Sequence, residues 1–525
     1  MPEYLAPGVY VEEISTGPMP IQGVSTSVAG FVGITERGPE DVRRVTSWLQ
    51  FQRLYSTHMG VDKTYMTYAV QGFFDNGGQV CFIGRVVNKA AVPATKSLGN
   101  LTVFAIGRGL WGNNVFLRVQ QATKATKGVA KAATWIRLQI IYFTDKPQGD
   151  IVDPFDFTQL QNPNRVEPDA IEDYDNLSPE PGSSNYLITT INLASQLVQI
   201  ADPPAGQTPT GITPGTTFEP LTGGTEPALA VTDYAGNVQP IPNFPPTMFN
   251  PGWGMAAMEQ VRDVSLLMIP DQVNDDNLTE LIFEQCERNK DRFGIFSVAQ
   301  TFDPNGTDPR PSRDTTYGAQ YYPWIWIYDP FSNDQQLIPP TGHMAGIIAN
   351  TDLTLGVHKP PANAVVVGAR DLQRPVSKLD SAALNPVGIN CIRDFRPDGR
   401  GIRLWGARTM SSDPDWKYIN VRRLFLFIEK SIDQGTQWVV FEANSDPTWA
   451  RVVRTITSFL VDVWRSGALM GTTQDQAFFV RCDRTTMTDD DINNGRLICY
   501  IGIAPVKPAE FVIFRIGQMT ADAQS

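Results

Sequence analysis

The chain has 525 residues, which is longer than one hydrophobic core normally grows, so we expect several domains. Its 43 Lys and Arg residues against 55 Asp and Glu residues give a formal net charge of -12, without the clustered positive charge that nucleic acid or anionic lipid attracts. No apolar run reaches the length of about eighteen residues that spans a bilayer, so neither nucleic-acid binding nor membrane insertion is expected.

The first 26 residues are rich in Pro and Gly and contain one β-like run, Gly8–Ile14. Such a stretch is too short to build a core, so we expect it either to be disordered or to pair with another sheet. The opening residues also lack the basic and apolar regions of a signal peptide. We therefore expect neither secretion by a signal peptide nor a membrane anchor.

Globular patterns begin at Val28. Strands are predicted at Val28–Gly33 and Val80–Val87, with helices at Trp48–Tyr55 and Tyr65–Phe74 between them. Further strands are predicted at Val115–Val119 and Trp135–Phe143. Residues 145–185 are acidic and Pro-rich, and residues 202–224 are rich in Pro, Gly and Thr. These compositions predict a surface insertion with long connections.

From Gly254 onward helices and continuous apolar runs alternate. The run Val264–Ile269 and the strand Gly294–Val298 flank a predicted helix at Leu278–Lys290. Strands that are apolar on both faces, with helices between them, predict a parallel α/β unit. An aromatic strand at Tyr321–Tyr328 and a helix at Gly342–Asp352 extend this unit.

The strongest helix signal lies near the C-terminus. Apolar residues recur at three- and four-residue spacing from Trp449 to Trp464, Asp446 is the predicted N-cap with Pro447 at the first helical position, and Gly467 ends the pattern. A helix at about 420–432 is its predicted packing neighbour. The last apolar strand is predicted at Glu510–Ile516.

No motif for catalysis, cofactors or metal ions emerges. His58, His343 and His358 lack metal-binding spacing, and the five cysteines occur singly, as expected of buried reduced thiols. The run Asp489–Gly495 departs from a calcium loop in the position of its Gly and lacks the closing Glu. We therefore expect no enzyme, no cofactor and no metal site, and two alternatives stay open: an α/β hydrolase without a recognisable triad, and a monomeric binding module.

Basic residues stand out on the two C-terminal helices of this acidic chain. They predict either a solvated face or a surface for an acidic protein partner, and they are Arg422, Arg423, Lys430, Arg451, Arg454 and Arg465.

Several sequence landmarks occur in one order along almost the whole chain. They are Tyr4–Glu13, Ser27–Gly33, Gly109–Asn113, Gly254–Glu259, Leu267–Asp271, Pro339–Gly346, Pro360–Asn363, Asn385–Asn390, Gly406–Thr409, Tyr418–Arg423, Phe441–Asn444 and Ala504–Phe511. In this order they resemble the contractile tail sheath family of phage tails and contractile injection systems. Residues from about 120 to 235 carry no such landmark.

The resemblance implies an α/β and α+β multidomain fold. An inner strand-exchanging domain built from both chain ends would accompany a subtilisin-like α/β middle domain and a β-rich outer insertion. The implied divisions are an extended N-terminal arm donated to a neighbouring subunit (1–26), the N-terminal part of the core (27–120), the variable insertion (121–235), the middle domain (236–383), the C-terminal sheath domain (384–504) and an extended C-terminal arm (505–525). A subtilisin-like fold does not by itself imply proteolysis.

The resemblance also implies hexameric rings that stack helically around an inner tube and contract to drive the tube through a target envelope. Expected partners are other copies of the chain, the inner tube protein, and baseplate and terminator or cap proteins, within a phage tail or injection particle assembled in the bacterial cytoplasm. Extended apolar ends need a sheet edge to satisfy their backbone groups. The residues expected to exchange strands between subunits are Val9, Tyr10, Val11, Phe511, Val512, Ile513 and Phe514. Those expected to contact the tube are Arg451, Arg454 and Arg465.

Overall fold

The computed structural model describes residues 20–57, 59–128, 132–238, 252–304, 306 and 310–513. The chain forms two compact units. The central unit comprises residues 26–354 and 361–419, and the terminal unit comprises residues up to 25, residues 355–360 and residues from 420 onward. The predicted division at residue 384 therefore falls inside the central unit, because the strand Ile389–Asp394 continues the main sheet of that unit.

The strands are short and most belong to the central unit. In chain order they are β1 (Ala29–Gly33), β2 (Arg43–Val45), β3 (Cys81–Arg85), β4 (Thr95–Leu98), β5 (Leu101–Ala105), β6 (Val115–Gln121), β7 (Ile136–Tyr142), β8 (Ala170–Leu177), β9 (Val198–Ile200), β10 (Glu219–Pro220), β11 (Leu266–Met268), β12 (Phe293–Ser297), β13 (Gly318–Tyr322), β14 (Ile325–Asp329), β15 (Asp334–Ile338), β16 (Ala369–Leu372), β17 (Ile389–Asp394), β18 (Ile402–Leu404), β19 (Phe478–Arg481) and β20 (Tyr500–Ile503).

The helices lie between these strands in both units. They are α1 (Trp48–Tyr55), α2 (Met66–Asp75), α3 (Thr123–Thr126), α4 (Leu187–Ala194), α5 (Val231–Ala235), α6 (Gly254–Glu259), α7 (Asp276–Asn289), α8 (Thr341–Leu355), α9 (Lys378–Leu384), α10 (Ile419–Gly435), α11 (Asp446–Arg465), α12 (Gln474–Ala477) and α13 (Asp489–Asn493). In the described ranges, no helix combines the length and apolar character needed to cross a bilayer.

The main sheet of the central unit has the strand order β18-β17-β13-β12-β11-β1-β3-β2. Its inner strands run parallel, and β2 and β18 close the two edges antiparallel. The apolar runs at β1, β11 and β12 are buried along their whole length, as parallel strands covered on both faces require. The predicted parallel α/β unit is confirmed. Because β1 lies between β11 and β3, the predicted segments 27–120 and 236–383 share one sheet.

The predicted aromatic strand Tyr321–Tyr328 is instead two strands in two sheets. Its first residues belong to β13 in the main sheet, whereas β14 pairs with β15 and β16 in a separate three-stranded sheet. Pro323 separates the two strands. Proline has no backbone N–H to donate to a ladder, so a continuous strand is interrupted where it occurs.

A β-rich part of the central unit is built from two small sheets, β4-β5-β9 and β10-β6-β7-β8. Their apolar faces share one buried cluster that includes Leu101, Val115, Leu138 and Val198. The predicted division at residue 121 falls inside this cluster, because β6 pairs with β7 along its full length. The acidic stretch around Glu172 lies on β8, which pairs with the other side of β7.

The two long helices of the terminal unit pack together, as predicted. Leu424 and Ile428 of α10 share a buried cluster with Ile456 and Leu460 of α11, and the rings of Phe427 and Phe459 have centroids 5.9 Å apart. The strands β19 and β20 lie against the same cluster through Phe478 and Ile503.

The start of α11 differs by one residue from the prediction. Ser445 is the N-cap, with extended backbone, and Asp446 and Pro447 are the first two helical residues. Proline fits either place, because the first N–H groups of a helix have no intrahelical partner. The helix ends at Arg465, two residues before Gly467, whose φ of +83° lies in the left-handed region.

Residues 20–25 pack against their own terminal unit through Ile21 and Val24. Ile21 is buried in the cluster of α10 and α11, next to Gly435, and the N–H of Val24 donates to the hydroxyl of Ser431 at 3.1 Å. The predicted extended arm over residues 1–26 is therefore corrected at its C-terminal end. Residues 1–19, with Val9, Tyr10 and Val11, lie outside the described residues.

Candidate functional site

The β19–β20 sheet of the terminal unit is two-stranded within the described part of the chain. The strands are antiparallel, with Phe478 opposite Ile503 and Arg481 opposite Tyr500. The N–H of Ala504 donates to the oxygen of Ala477 at 2.8 Å, which identifies this opposed pair as hydrogen-bonded. Because hydrogen-bonded and non-bonded pairs alternate, Val480 and Ile501 direct their backbone groups away from each other, toward the two outer edges.

The two faces of this small sheet differ in their environment. Phe478 and Val480 face α11, whereas Phe479 and Tyr500 lie on the opposite face and are more than half exposed. The ring of Phe479 covers Gly502, where an added Cβ would clash with the ring. The outer face therefore presents aromatic surface beside edges that are open at Val480 and Ile501 in the described part of the chain. Nearer the ends of the strands, Phe478 bonds to Gln474 and Pro505 bridges to Leu469. The sequence analysis did not select these two aromatic residues, because the apolar run Phe478–Val480 does not alternate and so does not indicate which side chains face outward.

The chain after β20 is hydrogen-bonded to the terminal unit at Val506. The N–H of Val506 donates to the oxygen of Ala468 at 3.2 Å, and the side-chain amide of Asn420 donates to the oxygen of Val506 at 3.2 Å. Beyond it, Phe511, Val512 and Ile513 are 72%, 68% and 77% exposed and form no strand. The strand predicted at Glu510–Ile516 is therefore not formed at residues 510–513, and its remaining residues, including Phe514, lie outside the described residues.

The predicted tube-contact arginines lie on one side of α11. At 100° per residue, Arg454 and Arg465 are within about 60° of Arg451 around the helix axis. Arg451 forms an ion pair with Glu442 at 3.0 Å, and its guanidinium lies 4.8 Å from the ring centroid of Trp438. Arg454 and Arg465 are exposed and form no ion pair with any residue in the described ranges. We call Arg451, Arg454 and Arg465 the arginine stripe.

Two other basic residues of the terminal unit are not part of an exposed face. Arg422 and Arg423 are buried, and Arg422 lies 3.3 Å from the carboxylate of Glu429. The prediction that the basic residues form a solvated face is therefore wrong for Arg422 and Arg423. Helical spacing alone placed them beside Lys430, but α10 is covered on more than one side.

The described residues do not assemble a hydrolase site around His343. Burial lowers the pKa of His343 to about 4, and its Nδ1 has no hydrogen-bond partner among the described residues. A catalytic histidine needs an acceptor on that nitrogen to hold its tautomer and orientation. His58 lies outside the described residues, and in the described ranges no group of His, Cys, Asp and Glu side chains is arranged to hold a metal ion.

Two family models match adjacent parts of the chain. The phage tail sheath protein central domain matches residues 249–410, and the phage tail sheath C-terminal domain matches residues 411–518, so the two together cover more than half of the sequence. Both central and terminal units contribute to the matched region.

Curated relatives match over a shorter stretch. A putative prophage major tail sheath protein of Pseudomonas aeruginosa (strain UCBPP-PA14) is 28% identical over 200 residues, which are 37% of this chain and 49% of the relative. The tail sheath protein of Vibrio phage KVP40 is 26% identical over 213 residues, 40% of this chain and 31% of the relative. The matched part thus spans about half or less of these relatives.

Solved structures match over nearly the whole chain. A chain of the anti-feeding prophage baseplate is 24% identical with a TM-score of 0.56, covering 98% of this chain and 99% of its own. A chain of the PVC sheath complex, from an extracellular contractile injection system in the contracted state, is 21% identical with a TM-score of 0.59, covering 99% of both. These likenesses show a shared fold, and with the two family models they lead to one assignment: the chain belongs to the phage tail sheath family.

Proposed function

We propose that this chain is the structural subunit of a contractile sheath. It polymerises as helically stacked hexameric rings around an inner tube and contracts to drive that tube through a target envelope. Family membership and the names of the solved relatives support the proposal. The observation that carries it is that one protomer has both an open two-stranded sheet and an exposed apolar segment.

Strand exchange would satisfy both of these features. A two-stranded sheet is marginal by itself, and an open edge offers unpaired N–H and C=O groups to another chain. The exposed segment Phe511–Ile513, continuing into Phe514, is an apolar donor of suitable length, and Val9–Val11 is a second one. Added strands gain affinity from main-chain hydrogen bonds and specificity from alternate side chains.

Exchange of this kind links subunits head to tail. Each protomer would offer both an acceptor sheet and donor segments, so the contacts are heterologous and need not close after one ring. Contraction is then a rigid-body rearrangement of subunits between two packings, with the donated strands acting as tethers. Baseplate and cap proteins would occupy the unpaired ends of such a lattice.

The arginine stripe is the proposed contact with the inner tube. Arg454 and Arg465 have no partner of their own in the described ranges, so an acidic tube surface would not compete with an internal ion pair. Exposed ion pairs contribute only about 0–1 kcal/mol each. Many such contacts in a regular lattice hold a tube while each one remains easy to break on contraction.

A subtilisin-like α/β fold over residues 236–383 would serve packing in this proposal, not catalysis. The buried imidazole of His343, whose Nδ1 has no hydrogen-bond partner among the described residues, supports a non-enzymatic role. The particle would be assembled in the cytoplasm of the producing bacterium as a phage tail or an injection machine. Purified protein should show no peptidase activity that His343→Gln abolishes; such an activity would revive the hydrolase alternative.

The C-terminal donor segment gives the direct test. Phe511→Asp with Ile513→Asp should leave a folded protomer, because both side chains are exposed, but should abolish sheaths and rings in negative-stain micrographs. Leu193→Asp is the matched control, since Leu193 is 83% exposed on the central unit. Normal polymerisation of the double variant would overturn strand donation by this segment.

A further inference from the structure

Two cysteines of the terminal unit stand directly opposite each other across the β19–β20 sheet. Cys482 follows the last residue of β19, and Cys499 precedes the first residue of β20. The ladder pairs Arg481 with Tyr500, so its next step pairs Cys482 with Cys499. Sequence spacing gave no hint of this, because sixteen residues separate the two positions.

The position in the ladder suits a disulfide. The pair Ala477 and Ala504 is hydrogen-bonded, and alternation from it makes Cys482 and Cys499 a non-hydrogen-bonded pair. At such pairs the Cα atoms are about 4.5 Å apart and the side chains approach closely, which falls within the range that a disulfide bridges. The two thiols are hydrogen-bonded to each other and pack in one cluster with Trp449 and Met487.

We propose that Cys482 and Cys499 form a redox-controlled cross-link. The two thiols are reduced in the cytoplasm and form an intramolecular disulfide in an oxidising medium. The pair lies on the face of the sheet that packs on α11, so the bond forms without moving the exposed face. It closes the loop 483–498, whose ends already approach through the hydroxyl of Thr486, which donates to the oxygen of Ile498 at 2.8 Å.

The oxidant in this proposal is a small-molecule disulfide. The thiolate of Cys499, the more exposed of the two residues, attacks that disulfide and expels one small thiolate. The thiolate of Cys482 then attacks the Cys499 sulfur and expels the second small thiolate. Two protein thiols lose two electrons and two protons, the small disulfide is reduced to two thiols, and the atoms balance.

The disulfide would hold β19 and β20 in one register after the particle leaves the cell that made it. A disulfide stabilises a fold mainly by restricting the unfolded chain, so the terminal unit should gain thermal stability on oxidation. This inference stands on the ladder and the thiol contact alone, and it does not require that the sheet accept a neighbour's strand.

The disulfide should form slowly near neutral pH. Burial raises the pKa of Cys499 to about 12 and also raises that of Cys482. Because only the thiolate attacks, the rate should rise about tenfold for each pH unit between 7 and 9.

The test is a thiol count and a peptide map of the full chain. Folded protein is incubated with oxidised glutathione at pH 8, then denatured and alkylated. Of the five thiols, two should become unreactive, and a non-reducing tryptic map should link residues 482–484 to the peptide that begins at Leu497. The thermal midpoint should rise on oxidation and return on reduction.

Cys499→Ser should abolish both the loss of thiols and the thermal shift, whereas the control Cys391→Ser should still lose two thiols. The peptide map uses the unaltered protein, so it decides the question even if a variant misfolds. Five reactive thiols after prolonged oxidation, a link between other cysteines, or a bond between two chains would overturn the proposal.

Discussion

Buried charges in the central unit are held by fixed partners, and Arg108 with Glu40 is the clearest example. Both side chains are fully buried, and the guanidinium contacts both carboxylate oxygens, the closest at 2.5 Å. The oxygen of Arg108 also accepts from Arg85 at 2.9 Å, so a second buried cation lies beside the pair. Removing the carboxylate would leave Arg108 without its ion-pair partner.

Glu40→Gln should therefore lower the free energy of unfolding of the central unit by about 3–5 kcal/mol, because it leaves a buried guanidinium unpaired. Urea denaturation followed by tryptophan fluorescence measures the change. Asp371→Asn is the control, since the Asp371–Arg396 pair is exposed and should cost less than about 1 kcal/mol. Equal losses in the two variants would contradict the argument from burial.

Asp271 makes the stability of the central unit depend on pH. Burial raises its pKa to about 6, although the N–H of Tyr65 and the hydroxyl of Thr64 both donate to it at 2.7 Å and act in the opposite direction. The folded pKa lies above the ordinary value of 3.8. The stabilising contribution of protonated Asp271 to the free energy of unfolding is thus fully present below pH 4. As the pH rises through 6, this contribution is lost, by up to about 3 kcal/mol.

Asp271→Asn removes this charge and should flatten the dependence of the unfolding free energy on pH between 4 and 6. At pH 8 the variant should be more stable than the parent. Urea titrations at several pH values test this, with the exposed Asp263→Asn as control. An unchanged slope in Asp271→Asn would show that another group titrates in this range.

At the scale of elements, α11 joins a buried face to the arginine stripe. Ile456, Leu460 and Val463 are buried on one side, and the arginines lie on the other. Arg454→Glu with Arg465→Glu should change the protomer's stability by no more than about 0.5 kcal/mol, because both residues are exposed and unpaired in the described ranges.

The same double variant should assemble sheaths that are empty or that contract prematurely. Electron microscopy of co-assembly with the tube protein at low and high salt provides the measurement. Arg262→Glu, an exposed arginine on the central unit, is the matched control. Normal extended tails under both salt conditions would mean that the stripe is only solvated.

Elements with local signals could be predicted from the sequence. The helix Trp48–Tyr55 matches α1 to the residue, and the apolar spacing of α11 placed that helix to within one or two residues. Long-range pairing could not be predicted, because nothing near Val28–Gly33 indicates that β1 pairs with β11, more than 230 residues later. The burial of Ile21 depends likewise on α10, which is distant in sequence.

The candidate site likewise has features that could be predicted from the sequence and features that could not. Exposure of Phe511–Ile513 follows from an apolar run without a local partner, and the arginine stripe follows from helical spacing. The outward direction of Phe479 and the opposition of Cys482 to Cys499 depend on the register of two strands. Register is set by a ladder that spans an eighteen-residue gap, which composition and spacing do not encode.

For the whole molecule, the position of Ile21 determines which part of the N-terminal arm can be removed. A truncation that begins at Val24 would take Ile21 from the core of its own terminal unit. Removing only residues 2–19 keeps Ile21 and the bond from Val24 to Ser431. This shorter truncation separates the proposed role of the arm in assembly from the stability of the protomer.

If the lattice grows head to tail, the truncated protomer should inhibit sheath growth even when it is mixed with the parent protein. Without residues 2–19 it still presents β19 and β20, so it can accept a strand from a neighbour but cannot donate its own N-terminal strand. Alone, it should unfold at the same temperature as the parent and form no extended sheaths. Mixed with the parent, it should end growing lattices, so the mean sheath length in micrographs should fall steadily as its mole fraction rises. Parent protein diluted to the same concentration is the control. If mixed sheaths keep the parental length, the N-terminal arm does not propagate the lattice, and the C-terminal segment must carry the linkage alone.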